Sequence, residues 1–217
     1  MSRPPSKQAS PEPVPLVFVV DDDEELRLAL DNLFRSVGLQ ARLFGSAVEF
    51  LKADPGDAPG CLVLDIRLPG VSGLEFQGQL ARSGVKLPIV FMTGHGDVPM
   101  SVRAMKAGAV DFLTKPFRDQ DMLDAVAAAI EADRQRRSSE AARQDVRGRF
   151  ENLSPREREV MTLVTRGLMN KQVAGELGLS EITVKLYRAQ AMRKMEARSL
   201  ADLVRMAEQL ALHGTRG

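Results

Sequence analysis

The chain has no tryptophan, one tyrosine, one cysteine and two histidines among its 217 residues. A lone cysteine cannot form a disulfide within the chain. With two scattered histidines it also leaves too few ligands for a structural zinc site, which takes four. Cys61 lies in an apolar run, Cys61–Leu64, which suits a small core residue in a reducing compartment. No apolar run approaches the ~18 residues that a membrane span needs, and Met1–Pro15 lacks the apolar stretch of a signal peptide. The expected setting is the cytoplasm, with no membrane contact. The same opening stretch, residues 1–15, holds five prolines with polar spacers and is expected to be a disordered tail.

What the chain does have is a set of short apolar runs that stop at polar residues. Val17-Phe18-Val19-Val20 ends at Asp21 and Asp22, and Leu62-Val63-Leu64 ends at Asp65. Runs this continuous are what a parallel sheet buries on both faces. Pro88–Met92 gives way to Thr93 and a Gly94-His95-Gly96 turn, and Asp111-Phe112-Leu113 to Thr114-Lys115-Pro116-Phe117. Helical patterns follow at Glu24–Val37, Ser46–Ala53, Gly73–Ser83, Val98–Ala107 and from Arg118 onward. With a weaker strand at Gln40–Phe44, the pattern makes five β/α repeats, so a doubly wound five-stranded parallel α/β sheet is expected. In such a sheet the ligand crevice lies beyond the carboxyl ends of the strands. The three carboxylates are therefore expected to converge, and their charge is balanced by one magnesium ion and Lys115. Magnesium is a hard cation suited to oxygen ligands. Taken singly, each acid also reads as a solvated loop charge, Thr93 as a turn former and Phe112 as core. His95, between two glycines in a turn, is given no catalytic role.

The net charge of +1 hides an asymmetry. Residues 1–130 carry 13 basic and 17 acidic side chains, net −4, whereas residues 131–217 carry 17 and 12, net +5. The second half therefore suits a polyanion. Residues 131–150 are rich in Arg, Glu, Ala and Ser, and read as a solvated linker helix, polar all round, with a dimerising coiled coil as the alternative. A helix start follows at Ser154-Pro155-Arg156-Glu157, with capping serine, proline at the first position and glutamate three residues on. Asn170 is expected to cap the next helix, Gly178 to end it, and Ser180 to cap a third, from Glu181 to about Met195. Two short helices joined by Gly-Leu-Ser form a helix-turn-helix, whose second member enters the major groove. On that helix Val184, Ala191 and Met195 share one face, with Tyr187 alongside. Leu186, Ala189, Gln190 and Arg193 lie opposite, with Lys185 on the flank. An exposed leucine there has no core reason, but a thymine methyl supplies one. Arg188 falls toward the core face, so its stem is expected to run out to backbone phosphates. Ser199–Leu212 reads as a fourth amphipathic helix, core and dimer seam together. The methionines at 192, 195 and 206 read as core filler.

The signatures Val-Val-Asp21-Asp22, Leu-Asp65-Ile-Arg-Leu-Pro69-Gly70, Met-Thr93-Gly-His-Gly and Lys115-Pro116-Phe117 together resemble the receiver domain of two-component response regulators, closest to the NarL/FixJ-like branch. The likeness covers about Leu16 to Ile130, and its fold is flavodoxin-like. It implies that Asp65 accepts a phosphoryl group from a sensor histidine kinase. It further implies that Asp22 and Asp65 ligate magnesium directly, Asp21 through water, and Arg67 by its backbone carbonyl. By the same resemblance Lys115 and Thr93 meet the phosphoryl group, and Phe112 changes between exposed and buried. Leu153 to Met195, with Ser-Pro-Arg-Glu-Arg-Glu, Asn170-Lys171 and Thr183-Val184-Lys185, resembles the LuxR-type DNA-binding domain over about Glu151 to Leu212. Positions matching Lys185, Leu186 and Ala189 read bases in that family, and Thr183, Arg188 and Arg193 complete the expected DNA-binding set. Ala189 departs from the family by being short.

The expected architecture is thus a disordered tail (1–15), a receiver (16–130), a helical linker (131–150) and an all-α helix-turn-helix domain (151–217). The expected activity is phosphorylation-gated binding of double-stranded DNA as a homodimer, without enzymatic turnover. Two other readings remain at this stage. One is an aspartate-based phosphohydrolase, to which Asp21-Asp22-Asp23, Thr93 and Lys115 also correspond. The other is a phosphotransfer or protein-interaction module whose helical tail does not touch DNA.

Overall fold

The computed structural model describes residues 13–94 and 98–212. Most of the expected tail (residues 1–12) and the residues His95, Gly96 and Asp97 lie outside them. The chain forms two compact units, Met1–Arg137 and Ser138–Gly217.

The first unit is built on strands β1 (Leu16–Val20), β2 (Gln40–Phe44), β3 (Gly60–Asp65), β6 (Ile89–Thr93) and β7 (Asp111–Thr114). They form one parallel sheet in the order β2-β1-β3-β6-β7. The weak strand expected at Gln40–Phe44 is present with those bounds. Alternation divides each apolar run between two cores. Phe18, Val20, Leu62, Leu64, Ile89 and Phe91 face one side. There they meet Ala47 and Phe50 of α2 (Ala47–Leu51), Phe76 and Leu80 of α3 (Gly73–Arg82), and Ala104 of α4 (Val98–Lys106). Val17, Val19, Cys61, Val63, Val90 and Met92 face the other, against Leu30 and Phe34 of α1 (Glu24–Ser36) and Met122, Val126 and Ala129 of α5 (Asp119–Glu151). Sheet residues buried on both sides explain why the strands read as unbroken apolar runs.

Three strands end one residue later than the apolar runs suggest, β7 among them at Thr114. Asp65 and Thr93 are the last residues of β3 and β6, because backbone pairing continues under a polar side chain. A two-residue antiparallel pair, β4 (Arg67–Leu68) with β5 (Val71–Ser72), follows β3. Gly73 then starts α3 so close to the end of β3 that an added Cβ would lie 2.7 Å from the Asp65 carbonyl oxygen. Only glycine fits there, which holds α3 against the carboxyl end of β3.

Helix α5 carries the stretch expected to be a polar, solvated linker, which is largely exposed over residues 131–150 but buries one acid. It runs unbroken from Asp119 to Glu151, and Asp133 on it is fully buried. The Asp133 carboxylate accepts from the amide of Gly60 at 3.0 Å, from Arg136 Nη2 at 2.5 Å and from Arg137 Nε at 2.6 Å. Arg137 also donates to the Asp57 carbonyl at 2.9 Å. A buried charge requires such partners, and composition could not show that one arrives from 73 residues away. Beside it the Cys61 thiol is pushed up to about 12 by burial and by the Asp133 charge, so it is an inert core residue.

In the second unit, Val146 from the end of α5 is buried with Leu153, with Val160, Met161 and Val164 of α6 (Pro155–Thr165), and with Val173 and Ala174 of α7 (Asn170–Leu177). Val184, Ala191 and Met195 of α8 (Glu181–Lys194 with Met195 as its C-cap), and Leu203 and Ala207 of α9 (Leu200–Gln209), complete that core. Met192 and Met206 pack against it, as core filler. The capping box at Ser154 is formed, with Ser154 N–H to Glu157 Oε2 at 2.7 Å. Asn170 does not cap α7. The cap lies one residue earlier, where the Met169 amide donates to Gln172 Oε1 at 2.8 Å. Among the described residues no helix is long and apolar enough to cross a membrane.

Candidate functional site

Strands β1 and β3 are neighbours, and their connections leave toward opposite faces of the sheet, so a crevice opens where their carboxyl ends meet. Asp21, directly after β1, and Asp65, closing β3, are both buried, while Asp22 is exposed. One ligand oxygen from each of the three lies within 4.8 Å of the others. Lys115 follows β7, and its Nζ is 2.7 Å from Asp21 Oδ2 and 2.7 Å from Asp65 Oδ2. Its amide is tied to the Thr93 carbonyl at 2.7 Å, which sets the lysine beside the acids.

The remaining oxygens of the buried acids are also occupied. Asp21 Oδ1 accepts from the Asp23 amide at 2.9 Å, and Asp65 Oδ1 from the Arg67 amide at 3.0 Å. Burial raises the Asp21 carboxyl above its ordinary value, against the pull of Lys115 and the Asp23 amide. Burial alone would lower Lys115, but its hydrogen bonds to Asp21 and Asp65 outweigh this and raise it. Lys115 is therefore held as a cation between two carboxylates.

The oxygen donors fit a hard divalent cation. Asp22 makes no hydrogen bond to the described residues, so both its oxygens are available to a metal. Asp65 keeps lone pairs beyond its two hydrogen bonds, since a carboxylate has about four acceptor positions. Asp21 carries the same two kinds of hydrogen bond, one amide and Lys115, and likewise keeps lone pairs for an ion or a bridging water. Arg67 opens β4 with its side chain exposed, and its amide folds back on Asp65. Thr93 is fully buried at the end of β6. Phe112 is half-buried on β7, paired with Phe91 and packed against the first core. Asp21, Asp22, Asp65, Lys115 and Thr93 thus all stand at the carboxyl ends of the strands.

The expected nucleic-acid contacts lie on α8. Gly178 ends α7 in the left-handed conformation, φ +65, and Ser180 then caps α8 by accepting from the Thr183 amide at 3.2 Å. The Thr183 hydroxyl sits 2.8 Å from that of Ser180, so Thr183 is half-buried in the cap. Lys185, Leu186, Ala189 and Arg193 are exposed. Arg188 lies toward the core face as expected, half-buried, and its guanidinium donates to Asn170 Oδ1 at 3.3 Å. Asn170, freed from capping, is its acceptor. The reading of the sequence missed Ile182, which is 80% exposed against 56% for Leu186. At 100° per residue it falls on the same outer stripe as Leu186, so the signal was present in the spacing.

Comparison with known proteins agrees with this arrangement. The model of the response regulator receiver domain family matches residues 17–127, and that of the bacterial regulatory proteins of the luxR family matches residues 151–207. Nodulation protein W of Bradyrhizobium diazoefficiens is 61% identical over 91% of this chain and 87% of its own length. The response regulator protein TodT of Pseudomonas putida is 47% identical over 90% and 86%. Among solved structures, the response regulator StyR superposes with a TM-score of 0.79 at 48% identity, covering 91% of this chain and all (100%) of its own. Full-length FixJ from B. japonicum gives 0.55 at 44% identity, covering 91% and 97%. The chain belongs to the two-component response regulators of the NarL/FixJ type, with a receiver domain followed by a LuxR-type DNA-binding domain.

Proposed function

We propose that Asp65 is the phosphoryl acceptor and that its phosphorylation by a sensor histidine kinase gates binding of the second domain to DNA. The working boundaries are 16–130 for the receiver, 131–150 for the linker and 151–217 for the DNA-binding domain. The observation that carries the reading is Lys115 Nζ at 2.7 Å from both Asp21 and Asp65, within a three-carboxylate cluster on a chain that also bears an exposed helix-turn-helix.

A carboxylate oxygen of Asp65 would attack phosphorus as the N–P bond to the donor histidine breaks. The imidazole leaves with that bond's electron pair. Two like unit charges ~4 Å apart repel by ~4 kcal/mol at an effective dielectric of ~20, so the approach needs cations already in place. Lys115 is one, and on phosphoryl transfer it would exchange a carboxylate partner for a phosphoryl oxygen. Asp22 and Asp65 would hold magnesium, with Asp21 through water and the Arg67 carbonyl, and the ion would supply charge neutralisation of the phosphoryl oxygens. The Thr93 hydroxyl and the half-buried Phe112 then form a two-state element whose balance the new charge shifts.

On DNA, Lys185, Leu186 and Ala189 would face bases, with Arg193 toward the backbone. Arg188 and Thr183, engaged with Asn170 and Ser180, would act by fixing the helix. The phosphorylated form would pair into a homodimer on half-sites about one helical turn apart, because each recognition helix needs its own groove. A protein that meets both DNA and a kinase's phosphohistidine works in the cytoplasm, and as a stoichiometric acceptor it is not an enzyme. In the test, wild type incubated with acetyl phosphate and magnesium gains one hydroxylamine-labile phosphate, and Asp65→Ala gains none. Labelling of Asp65→Ala at the same stoichiometry would overturn the assignment, and multiple turnover of p-nitrophenyl phosphate would favour a phosphohydrolase.

A further inference from the structure

Four residues of α8 lie away from its buried face of Val184, Ala191 and Met195: Ile182, Leu186, Ala189 and Arg193. The first two are large, apolar and open to solvent, at 80% and 56% exposure. Neither packs in the core of this unit. Helix propensity does not explain Ile182 either, since a β-branched residue is no better than average on an exposed helical position. Its surroundings narrow the choice of what covers it. Ile182 is the second residue of the second helix of a helix-turn-helix, and in this motif the N-terminal residues of that helix meet base edges. Of the cations on α8, Lys194 is drawn inward to Glu157 at 2.7 Å and Arg188 to Asn170. Lys185 and Arg193 have no partner among the described residues and border the apolar pair.

We infer that Ile182 and Leu186 act together as an apolar reading edge that selects two thymine methyl groups in each half-site. The inference rests on the DNA-binding reading above and adds to it a residue and a base preference. The duplex chemistry that suits two adjoining aliphatic side chains is the C5-methyl of thymine, the one apolar group displayed in the major groove. Side chains one helical turn apart lie ~5–6 Å from each other, and base pairs repeat every ~3.4 Å. The two thymines therefore fall on adjacent or next-adjacent base pairs. Leu186 reads one and Ile182 the other, nearer the helix N-terminus.

Deoxyuridine in place of thymidine removes that methyl and nothing else. Duplexes would first be selected from a random library with the full-length chain treated with acetyl phosphate. Each thymine of the recovered half-site would then be replaced by deoxyuridine, one at a time. Wild type is expected to lose about fourfold in affinity at each of two neighbouring positions, the factor for one buried methyl. Ile182→Ala should bind about fourfold more weakly to the unmodified site and lose sensitivity at one of the two positions. Leu186→Ala should lose it at the other, and Ile182→Val should retain it. Circular dichroism would confirm the fold of each variant. If Ile182→Ala keeps wild-type affinity and both deoxyuridine effects, the inference fails while DNA binding stands. If the variant binds DNA normally but sediments as a smaller species, the face belongs to a protein contact and the inference fails. If wild type selects no duplex, both readings fall.

Discussion

Single residues carried most of the site in the sequence, because acids at strand ends are visible as interruptions of apolar runs. Asp21, Asp22, Asp65 and Lys115 are brought together as the spacing suggested. What stayed hidden were residues whose partners are remote in sequence. Asp133 sits in an Arg- and Glu-rich stretch that resembles any solvated helix, yet it is fully buried and satisfies the Gly60 amide. Replacing it by alanine orphans that amide and leaves Arg136 and Arg137 without their anion. Asp133→Ala is expected to destabilise the first unit by about 2–4 kcal/mol, read as a lowered urea midpoint. A change below about 0.5 kcal/mol would mean that water replaces the carboxylate at no loss.

At the scale of elements, the capping serines Ser154 and Ser180 were legible, and so was the buried face of α8. The start of α7 was not, because a glutamine three residues in does the work expected of Asn170. The pair β4–β5 was also missed, being two residues a strand and too short for any period. One capping element has a pH consequence. Glu157 is buried; burial opposes its ionisation, but Lys194 at 2.7 Å and the Ser154 donors outweigh this and hold its carboxyl below the ordinary 4.5. A depressed carboxylate contributes stability that is complete above the unfolded-state value and is lost as pH falls through the folded-state value. The second unit should therefore weaken from about pH 4.5 downward. Glu157→Gln should be less stable than wild type at pH 7, and the gap should narrow at pH 3.5. Urea midpoints at the two pH values would show this, and a gap that stays constant would exclude Glu157 as the titrating group.

At the scale of the molecule, the charge split between the two halves and the change from β/α repeats to helices alone made two domains evident. The sequence did not show where one unit stops, because α5 continues from Asp119 to Glu151 without a break. The second unit has its own core from Val146 to Ala207, so Ser138–Gly217 prepared alone should fold and bind selected DNA without phosphate. Sedimentation and gel-shift measurements would test this, and a folded fragment that stays inert would mean that the receiver contributes directly to DNA contact. The Asp133 cluster bears on a different question, how regulators of this kind can be recombined. A hybrid that joins this receiver to a foreign output domain at residue 130 would discard Asp133, Arg136 and Arg137, exposing the far edge of β3 from the acceptor. A splice after Arg137 keeps the Asp133 cluster with the Gly60 and Asp57 groups it meets, and the exchange of signal inputs between such proteins should respect that junction.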